Sequence, residues 1–139
     1  MYLVTHAQVL FARAEAAQRG WTSESAATNY NNAIEQSIKQ WTGSSSNVQT
    51  YLAQPEVTYD PTNGIEMIAN QRYLHLFMHG YEAWAEYRRT GYPDNMVNPN
   101  GRDVPLRQSY TSDEELNNTK NYEEAVQRHS LAATIPSNC

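Results

Sequence analysis

The thirteen residues from Tyr81 to Pro93 predict a helix and the place where it ends. Arg88 and Arg89 stand in its last turn, where cations offset the negative end of the helix dipole. Gly91 can adopt the left-handed conformation that closes a helix, and Pro93 prevents the helix from continuing. The stretch therefore predicts a helix that ends near residue 90 and leads into a loop.

Side-chain spacing within this helix predicts two contacts. Tyr81, Trp84 and Arg88 fall at i, i+3 and i+7 on one face, so an indole and a guanidinium can lie against each other. Glu86 and Arg89 are three residues apart and can form an ion pair on the adjacent face. Taken alone, the pattern is typical of a well-capped helix that packs through one tryptophan.

Length, charge and cysteine content limit the class of protein. The chain has 139 residues, enough for one domain with its own core. Its net charge of −5 combines interspersed charges of both signs, which argues against a phosphate-backbone binder. Ten tyrosines and three tryptophans suit a helical core, sugar stacking or an interface. The single cysteine, Cys139, excludes a disulfide framework and a thiolate metal site, and no apolar run reaches the roughly 18–20 residues of a membrane span.

Apolar periodicity predicts an all-α fold, an irregular helical domain with long loops. A helix pair is expected over about residues 4–41, with Gly20 between the helices and Thr22 as N-cap of the second. Ala26, Tyr30 and Ala33 keep the small–aromatic–small spacing of a tetratricopeptide unit, so the pair is expected to be tetratricopeptide-like. No second copy of this spacing follows, so a regular repeat array is not expected.

A long helix is expected over about residues 61–90, with Asp60 as its cap and Pro61 as its first residue. Gly80 would lie inside this helix and mark a bend or a close contact. A short helix is expected at 48–52, and a loop with short helices over 91–139, one beginning at the capping-box spacing of Ser112 and another near 120–129. Residues 1–139 are expected to form a single segment. The expected inward residues of the long helix are Ile65, Ile68, Phe77, Tyr81 and Trp84.

The candidate chemistry is limited to a few side chains. His75 and His79 stand at i, i+4 with Glu82 one turn further on, a spacing that can bind a divalent metal. However, Leu76 follows His75, so the metalloprotease arrangement is missing, and a hydrogen-bonded structural histidine is the commoner outcome on an apolar face. Glu82 and Glu86 are spaced like an acid–base pair, but we expect them to interact with Arg89 and with solvent instead. The sequence predicts no catalytic residue, no metal, no cofactor and no enzyme.

The stretch from Tyr81 to Pro93 resembles the signature of the SusD/RagB family, surface lipoproteins that capture nutrients in Bacteroidetes-type bacteria. Residues 7–21, with an Ala-Glu-Ala helix and an Arg-Gly-Trp stop, and residues 71–77, Gln-Arg-Tyr-Leu-His-Leu-Phe, are similar to two more family segments. Residues 104–107 are similar to a third, with Leu106 in place of the family's first arginine. These segments follow family order and span most of residues 5–128.

This resemblance implies a function at the cell surface. Family members bind oligosaccharides, or in some branches peptides, and deliver them to a SusC-like TonB-dependent transporter of the outer membrane. The implied mechanism is binding and handover with no bond broken, and no nucleic acid is implied. Family ligands are held mainly by loops outside the signature helices, so the ligand-binding residues stay unknown. The residues that match the signature are expected to be scaffold: Tyr81, Glu82, Trp84, Glu86, Arg88, Arg89, Gly91 and Pro93.

The beginning of the chain predicts a segment of a longer protein. Residues 1–4 lack the charged region, apolar stretch and cleavage site of a signal peptide, and no cysteine near them could carry a lipid. A helical pattern is already running at Val4. We therefore expect a C-terminal segment whose membrane association depends on a lipid anchor missing from this chain. Two alternatives stay open: a tetratricopeptide-type module that binds a protein partner, and a metal-dependent enzyme built on His75 and His79.

Overall fold

The computed structural model describes the backbone of residues 3–96 and 104–132, and side chains through residue 128. All regular structure in these residues is helical, which confirms the predicted all-α class. The chain divides into two compact units, residues 1–101 and residues 102–139. The helices are α1 (His6–Gln18), α2 (Ala26–Thr42), α3 (Val48–Leu52), α4 (Gly64–His75), α5 (Gly80–Thr90), α6 (Ser112–Asn117) and α7 (Thr119–Ala132), with a 3₁₀ turn at Pro61–Asn63 before α4.

Capping residues set the bounds of the first two helices. Thr5 and Gln8 form a capping box, in which each side chain accepts a hydrogen bond from the other residue's backbone N–H. The N-cap of α2 is Ser25, whose hydroxyl accepts from the Thr28 N–H, so the expectation of Thr22 is wrong. Glu24 explains the later start, because it binds Arg13 of α1 and Asn29 of α2 and holds the connecting turn between them.

The core of the first unit lies where α1, α2 and α4 meet. Tyr30 and Ala33 of α2 are fully buried there, so the tetratricopeptide-like spacing serves to pack α2 against its neighbours. The Tyr30 hydroxyl donates to the Val57 carbonyl at 3.0 Å, which satisfies the polar atom of this buried ring. The buried residues of this cluster are Ala7, Leu10, Phe11, Ala14, Tyr30, Ala33, Ile34, Val57 and Ile68.

The long helix expected over residues 61–90 is instead two α-helices preceded by a 3₁₀ turn. Asp60 caps that turn through the Thr62 N–H, α4 ends at His75, and α5 begins at Gly80. Gly80 therefore starts a helix instead of lying inside one. In one continuous helix, Arg72 and Glu86 would lie about 21 Å apart along the axis. Their charged atoms lie 3.4 Å apart, which the chain reversal between α4 and α5 makes possible.

The break also changes which residues are buried. Ile68 is buried as expected, but Phe77 lies in the connecting turn and is 78% exposed. Tyr81 is 89% exposed, so the expectation that these two aromatic residues face inward is wrong. The buried face of α5 is formed by Ala83 and Glu86, because a small residue lets α5 approach α4 closely and the carboxylate finds its partners there.

The second unit holds α6 and α7. The short helix expected to begin at Ser112 is confirmed as α6. Its N-cap position is Thr111, however, with no side-chain capping hydrogen bond, so the capping box itself does not form. Helix α7 covers the helix expected near residues 120–129 and extends to Ala132. Residues 91–96 and 104–110 are non-helical, as expected for the loop, and residues 97–103 lie outside the described part of the chain.

No α-helix among the described residues combines the length and the apolar content that crossing a membrane requires.

Removing the Phe11 ring should destabilise the fold strongly. Phe11 is fully buried between helices, so Phe11→Ala should lower the free energy of unfolding by about 3–5 kcal/mol. Val9→Ala is the matched control on the same helix, because Val9 is 46% exposed, and it should cost far less. Urea denaturation of both variants measures the difference, and equal losses would contradict the described core.

Candidate functional site

Three of the four family-like segments converge on one group of charged side chains. Glu15 comes from the α1 segment, Arg72 from the α4 segment, and Glu86 and Arg89 from the α5 segment. Glu15 and Glu86 are buried, at 8% and 4% exposure. With Arg19 they form what we call the carboxylate–arginine cluster. Segments far apart in sequence therefore meet through ion pairs.

Arg89 connects the two carboxylates of the cluster. Its Nη1 and Nη2 donate to the two oxygens of Glu15, both at 2.7 Å. The Nη2 atom also donates to Glu86 at 2.7 Å, and Nε donates to the other Glu86 oxygen at 3.3 Å. The pair predicted between Glu86 and Arg89 is thus confirmed. A planar guanidinium is suited to this bidentate geometry, which a lysine could not reproduce.

The remaining arginines complete the cluster. Arg19, the C-cap residue of α1, donates from Nε to Glu15 at 3.0 Å. Arg72 places Nη1 at 3.4 Å from Glu86 and 4.0 Å from Glu15. The Nε of Arg72 is buried and has no hydrogen-bond partner among the described atoms. Arg72 therefore acts in the cluster mainly as a partly buried positive charge.

The pKa directions agree with this geometry. Burial raises the pKa of Glu15, but hydrogen bonds and charge attraction from Arg89, and then from Arg19, outweigh it and hold the pKa below its usual value. The hydrogen bond to Glu15 raises the pKa of Arg89, against the opposing effect of burial, and Glu86 raises it further. Glu15 and Arg89 are therefore both charged at neutral pH.

The other residues of the signature lie on α5 or directly after it. Trp84 is half-buried, and the Arg88 guanidinium lies 4.8 Å from the centre of its ring, which is the predicted indole–guanidinium contact. Glu82 and Tyr81 are exposed on the first turn of α5. Gly91 closes α5 with a φ of 77°, a conformation that favours glycine. Pro93 is half-buried in the segment that follows.

His75 is a structural residue in this fold. It is buried, and its Nε2 and Nδ1 lie 2.7 Å from the Thr5 hydroxyl and 2.9 Å from the Ser37 hydroxyl. Its carbonyl accepts a hydrogen bond from the Trp41 indole. Because both ring nitrogens are engaged, the expectation of a hydrogen-bonded histidine is confirmed. Among the described residues, no group of three or more His, Cys, Asp or Glu side chains could hold a metal ion.

One open hollow of about 390 Å³ carries hydrogen-bonding groups. Glu56, Asp60 and Glu66 line it with carboxylates, and Asn70 contributes an amide. The Oδ1 atom of Asn70 is buried without a hydrogen-bond partner. Chemically, this wall can accept hydrogen bonds from ligand hydroxyl or amine groups.

Sequence reasoning assigned no role to Glu15 or Arg72, although both lie in segments that resemble the family. The signal for Glu15 is its position on the buried stripe of α1, four residues after Phe11 and eight after Ala7. A charged side chain on such a stripe predicts a buried ion pair, since an unpaired buried charge is costly. The sequence carries no comparable signal for Arg72, because its partners depend on the reversal between α4 and α5.

Neutralising Glu86 should weaken the packing of α5 against α1 and α4. Glu86→Gln removes a buried charge that balances Arg72 and Arg89, so we expect the free energy of unfolding to fall by about 3 kcal/mol. Glu82→Gln, on the exposed face of the same helix, is the matched control and should be nearly neutral. Chemical denaturation compares the two. A Glu86→Gln variant as stable as the control would show that the cluster does not hold α5 in place.

Acidification should destabilise the fold through His75. The pKa of His75 is lowered from its ordinary 6.5 to about 4. The main cause is the burial of the ring, and the charges of His79 and Arg72 lower the pKa further. Between these values the unfolded chain binds a proton that the folded chain excludes, so stability falls as pH falls. The loss should be about 2 kcal/mol between pH 7 and pH 5.

Denaturation curves at pH 7, 6 and 5 measure this loss, and His75→Gln is the control. The variant lacks the titrating ring, so its stability should change less over this interval. An equally steep dependence in the variant would assign the effect to another group.

Sequence comparison matches residues 1–111 to a family, SusD-like_2, described as starch-binding and associating with the outer membrane. No curated protein matches the chain.

Solved structures share the fold. A SusD-like protein of Bacteroidetes AC2a is 30% identical with a TM-score of 0.76, over 91% of this chain and 27% of that one. A chitin-binding protein is 36% identical with a TM-score of 0.69, over 90% of this chain and 30% of that one. A SusD homologue from Bacteroides fragilis NCTC 9343 is 30% identical with a TM-score of 0.70, over 90% of this chain and 32% of that one.

The chain therefore spans about a third or less of the length of these relatives. The family match covers well over half of this chain, and it agrees with the resemblance found in the signature segments. The chain belongs to the SusD-like family of starch-binding proteins that associate with the outer membrane.

Proposed function

We propose that this chain is the C-terminal scaffold segment of a surface nutrient-binding lipoprotein that delivers its ligand to a SusC-like TonB-dependent transporter. The protein would be exposed at the outer membrane and held there by a lipid outside this chain. Its mechanism is binding and handover, without catalysis. The observation that carries the proposal is the family match over residues 1–111.

The proposed ligand class is an oligosaccharide. The family is described as starch-binding, and one structural relative is a chitin-binding protein. Both names describe polymers of hexose units, whose hydroxyl groups need several convergent hydrogen-bonding partners and whose rings stack on aromatic side chains. A peptide ligand is the second possibility within the same family function.

A scaffold role fits the way in which the signature residues are used. Arg89 donates its hydrogen bonds to Glu15 and Glu86, and the Arg88 guanidinium faces the Trp84 ring. Groups already paired inside a protein are poor ligand donors, because binding would first break the internal contacts. We therefore place the principal ligand site in other parts of the full-length protein, and assign these residues to holding α1, α4 and α5 together.

A tetratricopeptide-type module remains the second candidate, supported by the helix pair α1 and α2. Tyr30 and Ala33, which carry the repeat-like spacing, are fully buried in the core. Their burial accounts for the spacing through packing alone, so a groove that binds a protein partner is not needed to explain it. The nutrient-binding proposal is therefore preferred.

Binding measurements test the proposal. The full-length protein should bind starch- or chitin-derived oligosaccharides in calorimetry and release them chemically unchanged, and from membranes it should co-purify with a TonB-dependent transporter. The 139-residue chain alone should bind weakly or not at all. Failure of the full-length protein to bind any glycan or peptide on an array would overturn the proposed function.

Tight binding by the 139-residue chain would contradict the scaffold assignment. In that case the hollow lined by Glu66 and Asn70 is the place to look, and Asn70→Ala should abolish the binding. Asn32→Ala, an exposed amide change on α2, is the matched control.

A further inference from the structure

Large apolar side chains are exposed together where α4 turns into α5. Leu74 is 60% exposed, Phe77 78%, Met78 69% and Tyr81 89%. Trp41, at the end of α2, is 42% exposed, and its ring meets the Phe77 ring edge-on at 6.2 Å between centroids. We call Trp41, Leu74, Phe77, Met78 and Tyr81 the apolar patch. Isolated exposed apolar residues are ordinary, but a group this concentrated marks a contact surface.

The patch is shaped to receive other side chains. Two shallow hollows, of about 270 Å³ and 180 Å³, share Leu74 as a common wall. Phe77 and Trp84 line the larger hollow, and Trp41 lines the smaller one. No charged residue lines either hollow. A surface that is rich in aromatic residues and methionine and lacks charged residues is typical of the core of an interface.

In the solved relatives, the fold of this chain is one part of a longer polypeptide. In each of them this fold occupies 27–32% of a single, longer chain, at TM-scores of 0.69–0.76. About two thirds of each relative therefore lies outside the matched fold, on the same polypeptide. Contacts within one chain form at high effective concentration and stay formed, so they can use a dry, uncharged surface.

We propose that the apolar patch packs against a segment of the same SusD-like polypeptide that lies outside residues 1–139. The occupant is an apolar surface presenting aliphatic or aromatic side chains, which fill the two hollows on either side of Leu74. This inference rests on the proposal that the chain is one part of a longer SusD-like protein. It does not depend on which ligand that protein binds.

Site-specific cross-linking in the full-length protein tests the proposal. A photo-reactive benzoylphenylalanine at position 77 should, on illumination, cross-link within the same polypeptide, to peptides outside residues 1–139 identified by mass spectrometry. The cross-link should persist on dilution, because it is intramolecular. The same amino acid at position 32, where Asn32 is exposed and polar on α2, is the control and should give far less of this product.

Other outcomes would overturn the proposal. Cross-links only to a transporter or to a second copy would show that the patch is an interface between proteins. Absence of cross-links, together with strong binding of an apolar dye that Phe77→Ser abolishes, would show that the patch stays open to solvent. The proposal would also be excluded if the natural polypeptide had no folded segment outside residues 1–139.

A stability comparison gives an independent readout. Phe77→Ser should lower the unfolding temperature of the full-length protein more than Asn32→Ser, because only position 77 would lose buried contacts. Equal shifts would contradict a covered patch. Glycan binding is measured separately on the same protein, so loss of the proposed function and loss of this interface can be told apart.

Discussion

The pairing of two buried carboxylates with Arg89 is the interaction on which the described arrangement of α1, α4 and α5 depends. Glu15 and Glu86 are both buried, and like charges in a low-dielectric setting repel each other unless a cation lies between them. Arg89 donates to both carboxylates, and Arg72 approaches both from α4. Any one of these helices displaced from the others would leave a charge buried without its partner.

This requirement gives a physical meaning to the family signature. The Glu-Ala-Trp segment of α5, the Gln-Arg-Tyr segment of α4 and the Ala-Glu-Ala segment of α1 each supply a charged group to the same cluster. Small residues beside the charges, such as Ala14 and Ala83, are buried and let the helices approach closely. The residues by which the chain resembles the SusD-like family are therefore residues that hold α1, α4 and α5 together. We propose that they act on ligand binding only through the fold that they maintain.

Local signals made part of the fold predictable from sequence. The end of α5 could be predicted because Gly91 and the last-turn arginines act within a few residues. The break between α4 and α5 could not, because no proline marks it and local spacing does not reveal the ion pair of Arg72 with Glu86 that accompanies it. The burial of Glu86 in place of Tyr81 was missed for the same reason. Aromatic residues carry the most apolar area, but charge pairing decides which face of α5 is buried against α1 and α4.

A double-mutant cycle between Glu15 and Arg89 tests the central claim most directly. The free energy of unfolding would be measured for the chain, for Glu15→Gln, for Arg89→Met and for the double variant. A cluster that joins α1 to α5 predicts a coupling energy of about 1–3 kcal/mol, so that the double variant loses less than the sum of the single losses. Additive losses, with coupling near zero, would contradict the account and reduce the cluster to surface charge.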